Sequence, residues 1–478
     1  MCVFLIRNPQ SEIRNWECVT IDLLLAYYGD DFTGSTDVLE ALTRGGVETV
    51  LFVEPPNDDM LRRYPQARAI GVAGNSRTMS PAEMEATLPA ALGALLAQRP
   101  KFVHYKTCST FDSSPTIGSI GRAIDIGVRV FQNHFVPLVV GAPALDRYCV
   151  FGNLFARSGL DSEIYRLDRH PTMRYHPVTP MTEADLRIHL SNQTTRPVAL
   201  VDLMALDQDD DAAQSQLARA IEDNDGDGGI VLFDTLTDKH LATIGRLIAA
   251  AQDEQQKPLF VAGSSGVEYA LTEHWQAEHA HPAALREHGL PAASPVDRVL
   301  VVSGSCSPVT DRQIAWAAAH GWVEMSLDTP RLLAASNVAA EIAQIAERAA
   351  AELDAGRSVI IHTCRGPADP RKESAPKSAG SDTTARRLGV ILGQVVGQVL
   401  ERSDVRRLAV TGGDTSGYVA RTLGLEALQM IAPLESGAPL CRATGCGATD
   451  RAIEITFKGG QVGHDDFFGT VLAGRSGR

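Results

Sequence analysis

From residue 22 onward the chain repeats one rhythm, and that rhythm constrains its fold more than any other feature. Short apolar runs alternate with amphipathic stretches: LLLAYY, then a helical pattern through VLEALTRGG, VETVLFVEPP, ARAIGVAGNS, PAEMEATLPAALGALLAQ and KFVHYKTCS. Strands of four to seven residues separated by helices of ten to fifteen imply a mainly parallel sheet covered on both faces, an α/β fold. The rhythm continues through VPLVVGAPAL, RPVALVDLM, GGIVLFDTL and PLFVAGSSG. AEHAHPAALREHGLPAASPVD then breaks it and reads as a linker. A second series follows in RVLVVSGSCSPVT, RSVIIHTCRG, RRLAVTGGDTSG and AIEITFKGGQVGHDDFF. With 478 residues the chain exceeds one ordinary core, so two α/β/α domains are expected: 22–275 and 297–478, with a linker at 276–296 and an extension at 1–21. ADPRKESAPKSAGSDTT is a polar insertion and is expected to be a loop.

A formal net charge of −14 argues against nucleic acid or an anionic membrane surface as a partner, while leaving room for a local basic pocket. Residues 1–21 carry an apolar run too short for a signal peptide or a membrane span. The eight cysteines contain no CxxC pair and read as reduced thiols of a cytoplasmic protein.

Three turns of the second half share one chemistry: Ser303–Ser307, Thr411–Gly417 and Lys458–Gly463. Each follows an apolar run and carries glycines, with hydroxyls in the first two, so backbone N–H groups could approach an anion closely; a following helix would add its positive end. No GxxxxGK[ST] or strand-borne GxGxxG is present, so the turns are neither a Walker loop nor a dinucleotide fingerprint.

In the first half, YGDDFTGSTD follows the strand LLLAYY. Asp30 and Asp31 could cap a helix starting at Ser35, or could meet a substrate hydroxyl or hold a reacting proton; Asp31 is the favoured catalytic candidate, with Asp30 beside it. Asp37 could be a first-turn acid. Arg77 and Lys106 follow strands of the same sheet and could bind a carboxylate. His362 reads as a core or edge histidine, and Cys108 and Cys306 as residues lining turns. His104, His170, His176 and Asp168 match no metal-site spacing.

YGDDFTGSTD, SGSCSPVTDRQI, LAVTGGDTSGYVARTLG and ITFKGGQVGHDDFF together resemble, in order and spacing, the four-carbon acid sugar kinase family, formerly a domain of unknown function. The resemblance covers residues 22 to about 470, and YKTCSTFDSS with GSIG resembles the 3-oxo-tetronate kinase branch. It implies ATP-dependent phosphorylation of the terminal hydroxyl of a tetronate such as threonate, erythronate or 3-oxo-tetronate, at a site in the cleft between a sugar-acid domain and a nucleotide domain. It places nucleotide contacts on Ser305, Gly412, Gly413, Asp414, Thr415 and Gly459; beside it, Thr33, Arg77, Lys106, Ser109 and Asp112 are the candidate acid-sugar contacts. Mg2+ would arrive on the ATP oxygens, with Asp414 nearby, and no dedicated set of metal ligands is expected. The partners are then a small sugar acid and ATP, with a homodimer as the default assembly. An aspartyl phosphatase and a non-enzymatic sugar-acid sensor are the alternatives, and ATP consumption dependent on a tetronate separates all three.

Overall fold

The structure, a computed structural model, describes residues 22–158, 163–176, 178–224, 228–255, 257–278, 292–366, 369, 381–449 and 451–475. The 1–21 extension, most of the expected linker and most of the polar insertion lie outside the described residues. The end of that insertion differs from expectation, because Ser381–Arg402 is a helix that takes in SDTT.

The first half contributes β1 (Leu25–Gly29), β2 (Thr49–Phe52), β3 (Ala69–Ala73), β4 (Phe102–Lys106), β5 (Phe135–Val139), a small sheet of β6 (Arg147–Val150), β7 (Asn153–Arg157) and β8 (Ile164–Arg166), then β9 (Val198–Val201), β10 (Gly229–Phe233) and β11 (Leu259–Gly263). The second half contributes β12 (Leu300–Ser303), β13 (Val323–Ser326), β14 (Val359–His362), β15 (Arg407–Thr411), β16 (Ala427–Glu435), β17 (Ala438–Thr444) and β18 (Ile453–Lys458). The two halves do not keep separate sheets. Fifteen strands form one sheet in the order β13-β14-β12-β15-β18-β17-β16-β2-β3-β1-β4-β11-β5-β10-β9.

The seam is β2 against β16, where Phe52 faces Ala427 and Leu51 faces Leu428. The pairings β2–β16, β16–β17 and β17–β18 are all antiparallel, whereas the other pairings of this sheet are parallel; the small β6-β7-β8 sheet is antiparallel. Three reversals make the parallel strands of one half run opposite to those of the other. The long β16–β17 hairpin carries register shifts at Met430/Ala432 and Ala432/Glu435, and irregularities of this kind bend a strand and increase its twist. The sheet therefore folds around helix Phe32–Arg44, whose Phe32 ring lies 4.6 Å from Phe457 of β18.

Alternate residues of the buried strands feed opposite faces. Leu25 and Tyr27 join a core that runs through both halves to Leu428, Ile455 and Phe457, while Ala26 and Tyr28 join a core of the first half that reaches the second only at Ala427 of the seam. A third core around Ile314, Leu440 and Phe468 serves the second half alone. Gly71 is needed opposite Tyr27, since a Cβ there would stand 2.0 Å from the tyrosine ring.

Register sets the site. Gly29 is level with Ala73 and Lys106, and Lys106 with Gly263, so the turns after β1, β3, β4 and β11 share one edge. Ser303 is level with His362 and Thr411, and Thr411 with Lys458, so the second half's turns share another.

Glu40 of the enclosed helix accepts the Gly437 N–H of the hairpin tip at 2.7 Å while buried to 4% exposure. Burial pushes its carboxyl up to about 7, and Asp37 adds to this against the opposing Gly437 N–H and Arg44. Between about 4.5 and 7 the folded state keeps a proton that the unfolded chain has released, so stability falls as pH rises and levels off above that window. Glu40→Gln keeps an acceptor for Gly437 and removes the loss, at most about 1.4 kcal/mol for each unit of pH in the window. Urea unfolding is expected to find the variant more stable than wild type at about pH 8 but not at about pH 4.5; parallel curves would show that the carboxyl is solvated.

Candidate active site

At the end of β1 the backbone fixes the first carboxylates. Asp30 N donates to Lys106 O at 2.9 Å and Arg77 N to Asp30 O at 3.0 Å, tying the three turns together. Asp31 is extended at φ −143° and caps helix Phe32–Arg44 by accepting Gly34 N–H at Oδ1, 2.8 Å away. The helix thus starts at Phe32 rather than Ser35. Capping and contact with the site are not alternatives here, because Oδ2 of the same carboxylate takes Thr33 Oγ1–H at 2.7 Å and faces the other domain.

Arg77 binds both acids. Its Nε and Nη2 donate to Asp30 at 3.2 and 2.7 Å, and Nη2 also donates to Asp31 Oδ1 at 2.9 Å. The fork read in the sequence as a clamp for a substrate carboxylate is therefore turned onto Asp30. Burial pushes both acids up. For Asp30 burial prevails and its carboxyl sits above the usual range; for Asp31 the combined pull of Arg77, Thr33, Lys106 and Gly34 N–H prevails and holds it below. Asp31 is the more acidic of the pair.

Lys106 is buried 3.3 Å from Asp37 Oδ2, which also accepts Ser265 Oγ–H at 2.7 Å. Asp37 is thus a partner of the site's lysine rather than an exposed first-turn acid. After β4, Thr110 Oγ1 donates to Asp112 Oδ1 at 2.7 Å and lies 3.0 Å from Cys108 Sγ, with Ser109 half-buried between them. Burial and Asp112 push the Cys108 thiol up to about 11, so it is no thiolate nucleophile at neutral pH.

Across the interface the three glycine turns meet. Thr310 Oγ1 contacts Ser305 Oγ at 3.1 Å and Gly460 O at 3.0 Å, and Gly412 N donates to Lys458 O at 3.0 Å. Added methyl groups measure the closeness: a Cβ on Gly304 would stand 2.1 Å from Thr415 Oγ1, and one on Gly460 2.6 Å from Ser305 Oγ. Gly412 holds φ +112° at the start of helix Gly413–Thr422, a conformation that suits glycine. Asp414 is exposed on the first turn of that helix, and Gly459 opens the third turn. A Cβ on Gly413 would lie 3.5 Å from Asp31 Oδ2 and 3.7 Å from Thr33 Oγ1, so the helix start of one domain faces the carboxylate of the other.

The remaining candidates fall outside this junction. His362 is buried against Glu324 at 2.9 Å, and Arg365 joins Glu324 and Asp311 in the same ion network. His170 and His176 accept backbone N–H groups in their loop, Asp168 pairs with Arg166, and His104 pairs with Glu268 at 2.5 Å behind the site. Among the described residues no three metal-ligating side chains gather. Sequence reading missed Ser265, though GSSG after β11 was its signal. It also missed Arg421, which reaches Ala73 O across the interface at 2.6 Å, and Arg147, whose Nη1 binds the carbonyls of Leu145 and Asp146 beside β6.

Residues 25–271 match the model of a sugar-binding N-terminal domain and 300–468 that of a nucleotide-binding C-terminal domain. The chain belongs to the four-carbon acid sugar kinase family. It is 47% identical over 458 residues to a 3-oxo-isoapionate kinase from Paraburkholderia graminis, covering 95% of each chain. It is 31% identical to a 3-oxo-tetronate kinase from Methylobacterium radiotolerans, over 95% of this chain and 99% of that one. Its fold matches crystal structures of a Salmonella typhimurium LT2 protein provisionally described as a tRNA synthase (TM-score 0.73, 23% identity, covering 93% of this chain and 98% of that one) and of a DUF1537 protein from Haemophilus influenzae (TM-score 0.68, 21% identity, with the same coverage). As a family member it is a sugar-acid kinase, a phosphotransferase that uses ATP and an alcohol acceptor. No helix among the described residues is long and apolar enough to cross a membrane.

Arg77→Met keeps the apolar stem and removes the fork. Asp31 then loses its strongest cationic partner and its pKa is expected to rise toward the usual value of 3.8 or above. The stability that a depressed carboxyl contributes is present above its unfolded value and disappears as pH falls through the folded one, so the variant should unfold at higher pH than wild type in an acid titration followed by circular dichroism. An unchanged acid midpoint would show that Arg77 does not hold Asp31.

Proposed function

We propose that this kinase transfers the γ-phosphoryl group of ATP to the terminal hydroxyl of a 3-oxo sugar acid, with 3-oxo-isoapionate as its preferred substrate and 3-oxo-tetronates as poorer ones. The observation that carries the site assignment is the approach of Gly413 to Asp31 Oδ2, since it sets a helix N-terminus with phosphate-shaped turns against an anionic carboxylate. The substrate preference rests on likeness to the 3-oxo-isoapionate kinase.

Phosphoryl transfer needs in-line placement of the acceptor and neutralisation of oxygen charge more than it needs a strong base. A carboxylate held below its usual range suits that demand: Asp31 accepts the acceptor hydroxyl's hydrogen bond and fixes its direction, while Thr33 and Arg77 fix Asp31. Asp30 braces Arg77. The acid's carboxylate is met by Nη1 of Arg77, which makes none of the bonds to Asp30 and Asp31 and belongs to a side chain 24% exposed, and the acid's hydroxyls by Lys106, Ser109 and Asp112. Backbone N–H groups at the helix start, Gly413 and Thr415, receive the phosphates, with the turns at Ser305, Gly412 and Gly459 shaping the pocket around them. Asp414 is the carboxylate that would stand near a nucleotide-borne Mg2+, which would supply charge neutralisation. No disulfide joins the six described cysteines, which fits a cytoplasmic setting.

Coupled ADP release with Mg2+ and a panel of 3-oxo-isoapionate, 3-oxo-tetronate, threonate and erythronate tests the assignment. The highest kcat/KM is expected with 3-oxo-isoapionate, and turnover on none of the four would overturn it. Asp31→Asn is expected to lower kcat by about 10²- to 10⁴-fold with little change in ADP affinity. Gly413→Val, which wedges a side chain between the helix start and Asp31, is expected to lower turnover by about 100-fold or more.

A further inference from the structure

A buried amine lies under the phosphate turns, and among the described residues no carboxylate is bonded to it. Lys458, the last residue of β18, is fully buried; its Nζ donates to Thr310 Oγ1 at 3.2 Å and to Gly459 O at 3.0 Å, and lies 5.7 Å from the centre of the Phe467 ring. Thr310 Oγ1 is the atom that meets Ser305 Oγ and Gly460 O, so the amine stands one hydrogen bond behind two of the three turns. Resting on the nucleotide-site assignment above, we propose that Lys458 is a positioning residue that takes up a proton when the nucleotide's phosphates occupy these turns. It thereby becomes their internal counter-charge and clamps Thr310, Ser305 and Gly460 around them.

The physical argument is one of desolvation. A buried ammonium without an opposite charge is disfavoured, and burial alone pushes Lys458 down to about 7. The charged and titratable groups on surrounding elements do not offset this. Asp311 and Arg312 of the helix after Ser307 pair with Arg365 and Asp465, and Arg407 at the far end of β15 pairs with Glu454. Asp31 is bound to Arg77 and Thr33. Cys306, Asp414, His464 and Asp466 complete the titratable groups of the adjoining turns. None of these carboxylates is bonded to the Lys458 amine, whereas a bound polyphosphate brings its negative charge into the turns themselves, and an anion within a few ångströms favours the charged amine. The sign follows: the bound state has the higher pKa, so binding is strongest below about 7 and weakens as pH rises toward the bound-state value.

Calorimetric titration of wild-type protein with Mg2+-free ADP at about pH 8, in two buffers of different ionisation enthalpy, reads the proton directly. The nucleotide is then already fully ionised, so net uptake of most of one proton per ADP is expected, and ADP affinity should fall by up to about tenfold per pH unit above neutrality. Lys458→Met should abolish uptake and weaken binding, while Lys458→Arg, permanently charged, should bind without uptake. Buffer-independent heats in a wild-type protein whose ADP binding is lost on Gly413→Val would overturn the role of Lys458 and leave the nucleotide site standing. ADP binding that ignores Gly413→Val would overturn both.

Discussion

Helix Phe32–Arg44 belongs to both halves of the molecule at once, and the site depends on that. Its first residue packs on Phe457 of the nucleotide half, its buried Glu40 receives the tip of the β16–β17 hairpin, and its N-cap is Asp31. A helix exposed on one side can slide or tilt against its sheet. One enclosed by a folded sheet cannot, because close-packed interiors transmit small displacements rather than absorb them. The carboxylate at its start is therefore positioned by the cores of both domains.

The same enclosure resolves a problem of direction. Parallel strands that run opposite ways in the two halves deliver their turns to opposite edges of a continuous sheet, which would keep acceptor and nucleotide groups apart on a flat one. The bulged hairpin folds the sheet, Arg421 in the last turn of helix Gly413–Thr422 ties the second half to the end of β3, and the two edges meet. A seam made of backbone pairs and one helix leaves little scope for the wide hinge motion that a two-domain sequence suggests.

Charge is arranged with equal economy. Asp30, Asp31 and Asp37 face Arg77 and Lys106 in a buried cluster where each carboxylate has a cationic partner. Such a cluster is costly to build and breaks if one member is lost. Its return is a fixed anion at Asp31. The nucleotide side keeps backbone dipoles, hydroxyls and one desolvated amine, a surface suited to receiving negative charge.

The sequence by itself determined the class of fold and the addresses of the chemistry. Continuous apolar runs such as LLLAYY and RLAVT, each ending in a glycine or hydroxyl turn, are legible because a doubly covered strand must be apolar and a turn must not. YGDDFTGSTD and TGGDTSG could be marked as site segments for that reason, and family resemblance supplied their roles. What Arg77 and Asp37 face was not legible, since partners 46 or 228 residues away, as for Arg77–Asp31 and Asp37–Ser265, leave no periodic trace in a single chain. Nor was the single folded sheet. Both halves carry complete α/β patterns, and edge strands pair through backbone groups that every residue possesses, so no side-chain code announces the seam. Only the tertiary structure could decide that Asp31 faces Gly413, because that proximity is set by strand direction, bulge and enclosure together.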